Sequence, residues 1–309
     1  MTNRLHGRSG FLTAAGALVA LTGTALLMTP GEAVAGDAQY VSLPNTITLT
    51  GVVRDFRERT APNGHPDFER RPSSGFGHYM GNVAMELDDD HKPVFTGEGR
   101  KVGRQWADSS GRPLHPSLYD GSLGDSAGTW GSYDSGGIES EQSFAQWFRD
   151  VPGVNMSKSL DLKLVRQSGS NVYVFDDRHD RTYSDRGGFF PINNELFGNS
   201  AGNDKNYHFT FELQTEFVYR ENSGQVFTFN GDDDVWVFID DRLVIDIGGV
   251  HSRIAQTVDL DRLDWLEDGK SYRLSFFFAE RHRTQSNFRI ETTLELQNAA
   301  LPTVAGMAD

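Results

Sequence analysis

The chain has 309 residues, enough for one large or two small domains, with 37% hydrophobic and 23% charged residues. Its net charge of −14 repels phosphate backbones and anionic lipid, so nucleic acid and membrane surfaces are not expected partners. The absence of cysteine excludes disulfides and thiolate metal sites, and the 33 glycines favour turns over long helices.

Residues 1–35 read as a signal peptide. Arg4 and Arg8 supply the positive start, Phe11 to Met28 the apolar stretch, and Ala33-Val34-Ala35 a small-residue exit that leaves Gly36 first after cleavage. That predicts a secreted or cell-surface protein, with no membrane insertion once the signal is removed. Residues 36–45 form an N-terminal extension. Thr46 to Val53 reads as a strand, followed by a Pro-bearing loop from Arg57 to Pro72. Ala84–Leu87 and Lys92–Phe95 are short extended pieces, and Asp88-Asp89-Asp90 between them is an ordinary turn. Gly97 to Ser140 has little periodicity and reads as one long loop or several. Ser140 to Arg149 predicts a short helix, capped by Ser140 or Ser143 and stopped at Pro152-Gly153.

The second half alternates clearly. Phe209, Phe211, Leu213, Thr215, Phe217 and Tyr219 share one side of a strand. Thr210, Glu212, Gln214 and Glu216 share the other, predicted to be wet. Gln225–Asn230 is the next strand. Val235–Ile239, apolar on both sides, is central and pairs as a hairpin with Arg242–Ile247 across Asp240-Asp241. Ile254–Leu260, Ser271–Phe278 and Asn287–Leu296 complete the set. The pattern predicts an all-β fold: one antiparallel β-sandwich over residues 46–297, with long loops and one short helix, followed by a tail at 298–309.

Gly231-Asp232-Asp233-Asp234 stands directly before the doubly apolar strand. Adjacent carboxylates there repel by roughly 1–4 kcal/mol per pair in partly shielded surroundings. A cation relieves this, and Ca²⁺ accepts several oxygen ligands in irregular geometry. A solvated turn or cap is the alternative reading.

These residues carry a resemblance. Phe229 to Asp240, Leu243 to His251, Phe276 to His282 and Thr284 to Ile290 resemble the fibro-slime family, as do Leu49–Phe56, His65–Glu69, the Trp147 segment through Asn155, and Phe189-Phe190-Pro191. The likeness runs from about Thr46 to Leu296. It implies a PA14-like β-sandwich in which two Asp joined by a cis peptide hold Ca²⁺ and the ion contacts glycan hydroxyls. Those positions map onto Asp232 and Asp233. Asp234 departs from the usual small residue, and either adds a ligand or faces solvent. Asn230, His251 and Asn287 are candidates for further ligand contacts.

Trp130, with Trp106 and Tyr133, is a candidate for stacking on sugar rings, or else anchors its loop to the core. His65, Asp67 and Glu69 read as structural. Glu280-Arg281-His282 reads as a buried pair or loop brace in preference to a catalytic acid. The chain contains no H-E-x-x-H, G-x-S-x-G or P-loop pattern, so no enzyme activity is expected. The expected function is a calcium-dependent lectin or adhesin-type module for a glycan or a cell-surface or matrix polysaccharide. The alternatives are a matrix or cell-surface assembly protein with structural calcium and, less favoured, a glycan-active hydrolase.

Overall fold

The computed structural model describes Tyr40 and residues 42–299. The expected signal peptide, half of the N-terminal extension and most of the tail lie outside the described residues. Among the described residues, no helix is long and apolar enough to cross a membrane.

Strand β1 (Thr46–Phe56) opens the fold. The segment read as featureless loop holds β3 (Arg100–Arg104), β4 (Trp106–Ala107), β5 (Pro113–Leu114) and β6 (Thr129–Tyr133). With β2 (Tyr79–Met80), β3 and β6 form a small three-stranded sheet, while β4 pairs with β5. These strands are short and irregular in register, so their residues show no sustained alternation.

Helix α1 (Glu141–Phe144) has a capping box in which Ser140 and Ser143 satisfy each other's backbone N–H groups. It is only one turn long, and a second one-turn helix, α2 (Arg181–Ser184), joins it; the sequence predicts a single helix. Strands β7 (Asn155–Arg166) and β8 (Tyr173–Asp176) are also absent from the sequence expectation. The alternation of Leu160, Leu162 and Leu164 marks β7. The next strands follow the expected order: β9 (Phe209–Val218), β10 (Val226–Asp232), β11 (Asp234–Ile239), β12 (Arg242–Ile247), β13 (Ile254–Asp259), β14 (Ser271–Glu280) and β15 (Asn287–Thr292), the last stopping short of Leu296; the two-residue β16 (Gln297–Asn298) is not expected from the sequence. Asp240 and Asp241, at φ 53° and 60°, form the tight β11–β12 turn, whose left-handed residues match strand twist.

An antiparallel sheet of eleven strands runs β12-β11-β14-β9-β1-β7-β8-β15-β10-β13, with β16 on β9. Aromatic contacts show that its halves face each other as a sandwich. Phe288 of β15 lies 5.4 Å from Phe276 and 5.2 Å from Phe278 of β14, and Phe229 of β10 lies 5.5 Å from Phe276; β14 neighbours neither β10 nor β15 in the sheet.

The predicted wet face of β9 is a correction. Thr210, Glu212 and Gln214 are buried, because the segment around α1 covers that side. Phe144, Trp147 and Phe148 pack there with Trp236, Phe238 and Phe277 in a second apolar cluster. The Thr210 hydroxyl donates to the Trp147 carbonyl at 2.6 Å, and Glu212 is neutralised by Arg54 at 3.0 Å and by Lys92. This layer explains why β11 is apolar on both faces: Val235, Val237 and Ile239 enter the main core, and Trp236 and Phe238 enter the outer cluster.

Asp55, buried on β1, accepts hydrogen bonds from the Asn206 side chain at 2.8 Å and the Phe197 amide at 2.7 Å. Burial outweighs these donors and raises its carboxyl from 3.8 to about 7. Its contribution to stability is therefore complete below pH 3.8 and is lost as pH rises through about 7. Asp55→Asn removes this titration and misplaces one donor. The stability gap between wild type and variant should narrow from pH 4 to pH 8, by at most about 4 kcal/mol. Urea unfolding at each pH measures it, and a constant gap would refute the assignment.

Candidate functional site

The acidic run lies where β10 ends and β11 begins. Asp232 closes β10 opposite Asn287 of β15, and Asp234 opens β11 opposite Ala279 of β14. Asp233 sits between the two strands, and its peptide bond with Asp232 is cis. All three side chains are buried, with Asp232 2% and Asp233 3% exposed. Gly231 is held to a hydrogen side chain by crowding, since a Cβ there would stand 2.1 Å from the Asn287 carbonyl oxygen.

The three carboxylates have different surroundings. Asp234 neither faces solvent nor remains free for an ion. Arg281 donates to it through Nε at 2.5 Å and Nη2 at 3.2 Å, and the Gly249 amide donates at 2.5 Å. Arg281 is itself buried, and its Nη2 also reaches the Gly136 carbonyl at 2.6 Å. Asp232 accepts the Asn287 amide and Nδ2, each at 2.7 Å. Asp233 accepts only two long bonds, from the amides of His251 and Arg281 at 3.3 Å.

Two more acids complete the cluster. Glu280, the last residue of β14, is fully buried and neither carboxylate oxygen has a hydrogen-bond partner. Asp177 lies across β15 and accepts the Phe288 amide at 3.1 Å; Arg253 stands 3.7 Å away. Burial raises the Asp233 and Glu280 carboxyls well above their ordinary range, and mutual repulsion adds to it; Asp232 and Asp177 are raised by the same causes. Among the described residues, Asp232, Asp233 and Glu280 have no ion-pair partner within 4.0 Å. One arginine thus serves Asp234 and leaves three buried acids without a counter-charge.

This donor set fits a hard cation. Asp232 and Asp233 offer carboxylate oxygens from adjacent residues, and Glu280 has oxygens with no other use. The three acids do not bring oxygens within 4.8 Å of one another, a closeness reached among the described residues by Glu58, Glu69 and His208. Oxygens at about 2.3–2.6 Å from one calcium stand no more than about 5 Å apart, so the three acids would close up around an ion, with backbone carbonyls completing its shell. Around Glu58 and Glu69 the positive charge is already present: Arg283 donates to both carboxylates, and His208 Nε2 lies 3.0 Å from Glu69.

Of the other sequence candidates, Asn287 and His251 touch Asp232 and Asp233 directly. Asn230 lies two residues before Asp232 on the same strand face, and its carbonyl accepts from Arg253 at 3.4 Å. All three are partly exposed and border the buried acids. Trp130 is not part of this cluster. It lies on β6, 4.6 Å from Trp106, with the Arg100 guanidinium over it and over the exposed Tyr133. Gly136, whose carbonyl meets Arg281, lies in the turn that follows this strand.

Glu280 and Asp177 are the members of the acid cluster that the sequence does not single out. Glu280 was read only as part of a brace, yet Arg281 pairs with Asp234 and not with its neighbour. The brace itself is present. Asp67 is structural as expected, accepting the Trp147 indole at 2.9 Å, and Asp88 caps its own turn through the Asp90 and Lys92 amides. The available signal for Asp177 was a second Asp-Asp step, Asp176-Asp177, directly after a run of β-forming residues.

Residues 191–303 match the PA14 domain family. The chain carries a PA14 domain. That match covers β9 to β16, including the whole acidic junction, and β1, β7 and β8 extend the same sheet. Among curated proteins the chain is similar to psiR of Dictyostelium discoideum, 39% identical over 256 residues, covering 81% of this chain and 21% of psiR. It is similar also to psiQ of the same organism, 32% identical over 268 residues, covering 83% of this chain and 22% of psiQ. The chain thus spans about a fifth of these two relatives' lengths. Among solved structures, the PA14 domain of the MpAFP antifreeze protein aligns over 32% of this chain and 57% of its own, at 9% identity and a TM-score of 0.23.

The PA14 junction depends on the Arg281–Asp234 pair. Asp234→Asn should destabilise the protein by about 3–5 kcal/mol, because it leaves Arg281 buried without its counter-charge. Chemical denaturation measures this, and a loss below about 1 kcal/mol would show that the pair is dispensable.

Proposed function

We propose that the PA14 domain binds Ca²⁺ through Asp232 and Asp233 and that the ion takes part in binding a carbohydrate. The carrying observation is the set of buried acids, Asp232, Asp233 and Glu280, none of which, among the described residues, has a cationic side chain within 4.0 Å, with Arg253 and Arg281 acting on Asp232 and Asp233 only from farther away. A divalent ion is the counter-charge that suits adjacent carboxylates and accepts irregular oxygen ligation. When bound, it supplies open coordination positions for vicinal hydroxyls. The chain's own groups orient the site: the Asn287 amide and side chain hold Asp232, and the His251 amide holds Asp233. A sugar approaches from the side bordered by Asn230, His251 and Asn287. The protein acts as a secreted, non-catalytic module whose partner is a glycan or a cell-surface or matrix polysaccharide, and Trp130 and Tyr133 offer ring surfaces for a longer chain.

The near-complete burial of Asp232 and Asp233 favours a second reading, in which calcium braces the sandwich of an assembly protein and no sugar reaches it.

Calcium at about 100 times its Kd should add about 2.7 kcal/mol of stability, read as a higher Tm that chelator reverses. Asp233→Asn should abolish that rise while melting no lower than wild type in chelator, because it relieves repulsion. An unchanged wild-type Tm with calcium would sink both readings. A glycan-array signal that needs calcium and disappears in Asp233→Asn supports the lectin; a calcium-stabilised protein with no glycan signal supports the brace.

A further inference from the structure

Beside the acid cluster, two histidines hold ring nitrogens that the calcium site does not use, although the His251 amide braces Asp233. The turn after β12 runs antiparallel to β2. The Gly77 amide donates to Val250 O at 2.8 Å, Tyr79 N to Gly248 O at 2.7 Å, and Gly248 N to Tyr79 O at 3.0 Å. A Cβ on Gly249, at φ 95°, would meet the Tyr79 ring at 2.5 Å and the Gly77 carbonyl at 2.6 Å, so the two segments approach as closely as they do because this residue is glycine. This ladder sets His78 and His251 together, with ring centres 5.8 Å apart and planes at 68°.

Their protonation follows from their partners. His78 Nε2 lies 2.9 Å from the Asp246 carbonyl, which only accepts, so Nε2 carries the proton. Nδ1 of His78 then has a lone pair, and it is buried with no partner. His251 Nδ1 lies 3.0 Å from the Ser252 carbonyl and carries its proton by the same reasoning. Nε2 of His251 is likewise buried without a partner. The Ile247 carbonyl acts on the same ring, so a neutral His251 has fewer protons than the carbonyls facing it. Burial keeps the His78 ring neutral, pushing it down to about 3.

An imidazole with one N–H fixed on a backbone carbonyl and the other nitrogen free is the usual state of a metal-ligating histidine. Two such rings on one ion, at nitrogen–metal distances of about 2.0–2.1 Å, place their centres roughly 4.5–6.3 Å apart for bond angles between about 90° and 180°. We propose that His78 Nδ1 and His251 Nε2 bind one imidazole-preferring divalent transition ion, of the Zn²⁺ class, at the β2–β12 turn. The ion differs in kind from the hard cation of the acidic loop, because neutral nitrogen donors select zinc, copper or nickel over calcium. Water or a carbonyl completes its shell. His251, partly exposed, gives the route of entry. His115 also acts on the charge of His78, but its Nδ1 is engaged with Ser117 at 2.7 Å and it is not counted as a ligand.

The test titrates Zn²⁺ by calorimetry into the full secreted chain with calcium saturating, and records the visible spectrum with Co²⁺ in place of zinc. The expected result is one Zn²⁺ per chain and cobalt bands distinct from the aquo ion. Affinity should fall at least tenfold in His251→Gln and His78→Gln, and stay unchanged in His179→Gln, which alters an exposed ring. His251→Gln decides the matter if His78→Gln does not fold. Wild type that takes up no zinc, or folded His251→Gln with wild-type affinity, overturns the proposal. Asp232→Asn keeps this site separable from the calcium reading: loss of the calcium response with zinc binding retained supports two independent sites, and loss of both overturns the histidine assignment.

Discussion

The Asp234–Arg281 pair is the interaction on which this structure turns. Both groups are buried, so neither tolerates loss of the other, and their bond joins three parts of the chain. Asp234 begins the central strand β11, Arg281 follows β14, and Gly136 O brings in the long segment that covers the sheet. The pair uses Arg281 on one of five acids, and the other arginine nearby, Arg253, stands 3.7 Å from Asp177. Asp232 is left with the hydrogen bonds of Asn287, Asp233 with two long bonds from backbone amides, and Glu280 with none, which is the basis for the cation proposed above.

Covering β9, β11 and β14 on their outer side is the second constraint. Without the α1 segment, Trp236, Phe238 and Phe277 would face water, and Glu212 would have no reason to be ion-paired. The cover also orders the turns that bring His78, Gly81 and Gly136 against the β11–β12 hairpin. Asp246 shows the consequence: its side chain holds Trp236 at 3.0 Å and the Gly81 amide at 2.7 Å, while its carbonyl holds His78. Burial raises its carboxyl to about 7. The site region is therefore built from outer layer and sheet together, and its polar groups are buried as a network in which each has a specific partner or a specific vacancy in charge.

Strand legibility followed the strength of alternation. From Phe209 onward, where one face is consistently large and apolar, every predicted strand is present. Strand β7 is hard to read although Leu160, Leu162 and Leu164 alternate, because Ser157, Lys158 and Ser159 precede them and the apolar Met156 and Val165 face outward. The polar face of β9 was read as wet for a sound local reason. Thr210, Glu212 and Gln214 are polar, but the α1 segment, more than sixty residues away in sequence, lays Trp147 against Thr210, and Arg54 of the neighbouring strand β1 pairs with Glu212; pattern alone does not report such partners.

Local chemistry was enough to determine an all-β chain and to mark Asp232 and Asp233, because the alternation of side chains and the crowding of like charges are properties of neighbouring residues. The partners of those charges were decided by strand register alone. Register placed Ala279, and so Arg281, opposite Asp234, left Glu280 bare, and set Asn287 against Asp232. Whether a buried carboxylate is neutralised depends on which side chain arrives within a few ångströms, and in a sheet that neighbour comes from a distant part of the chain.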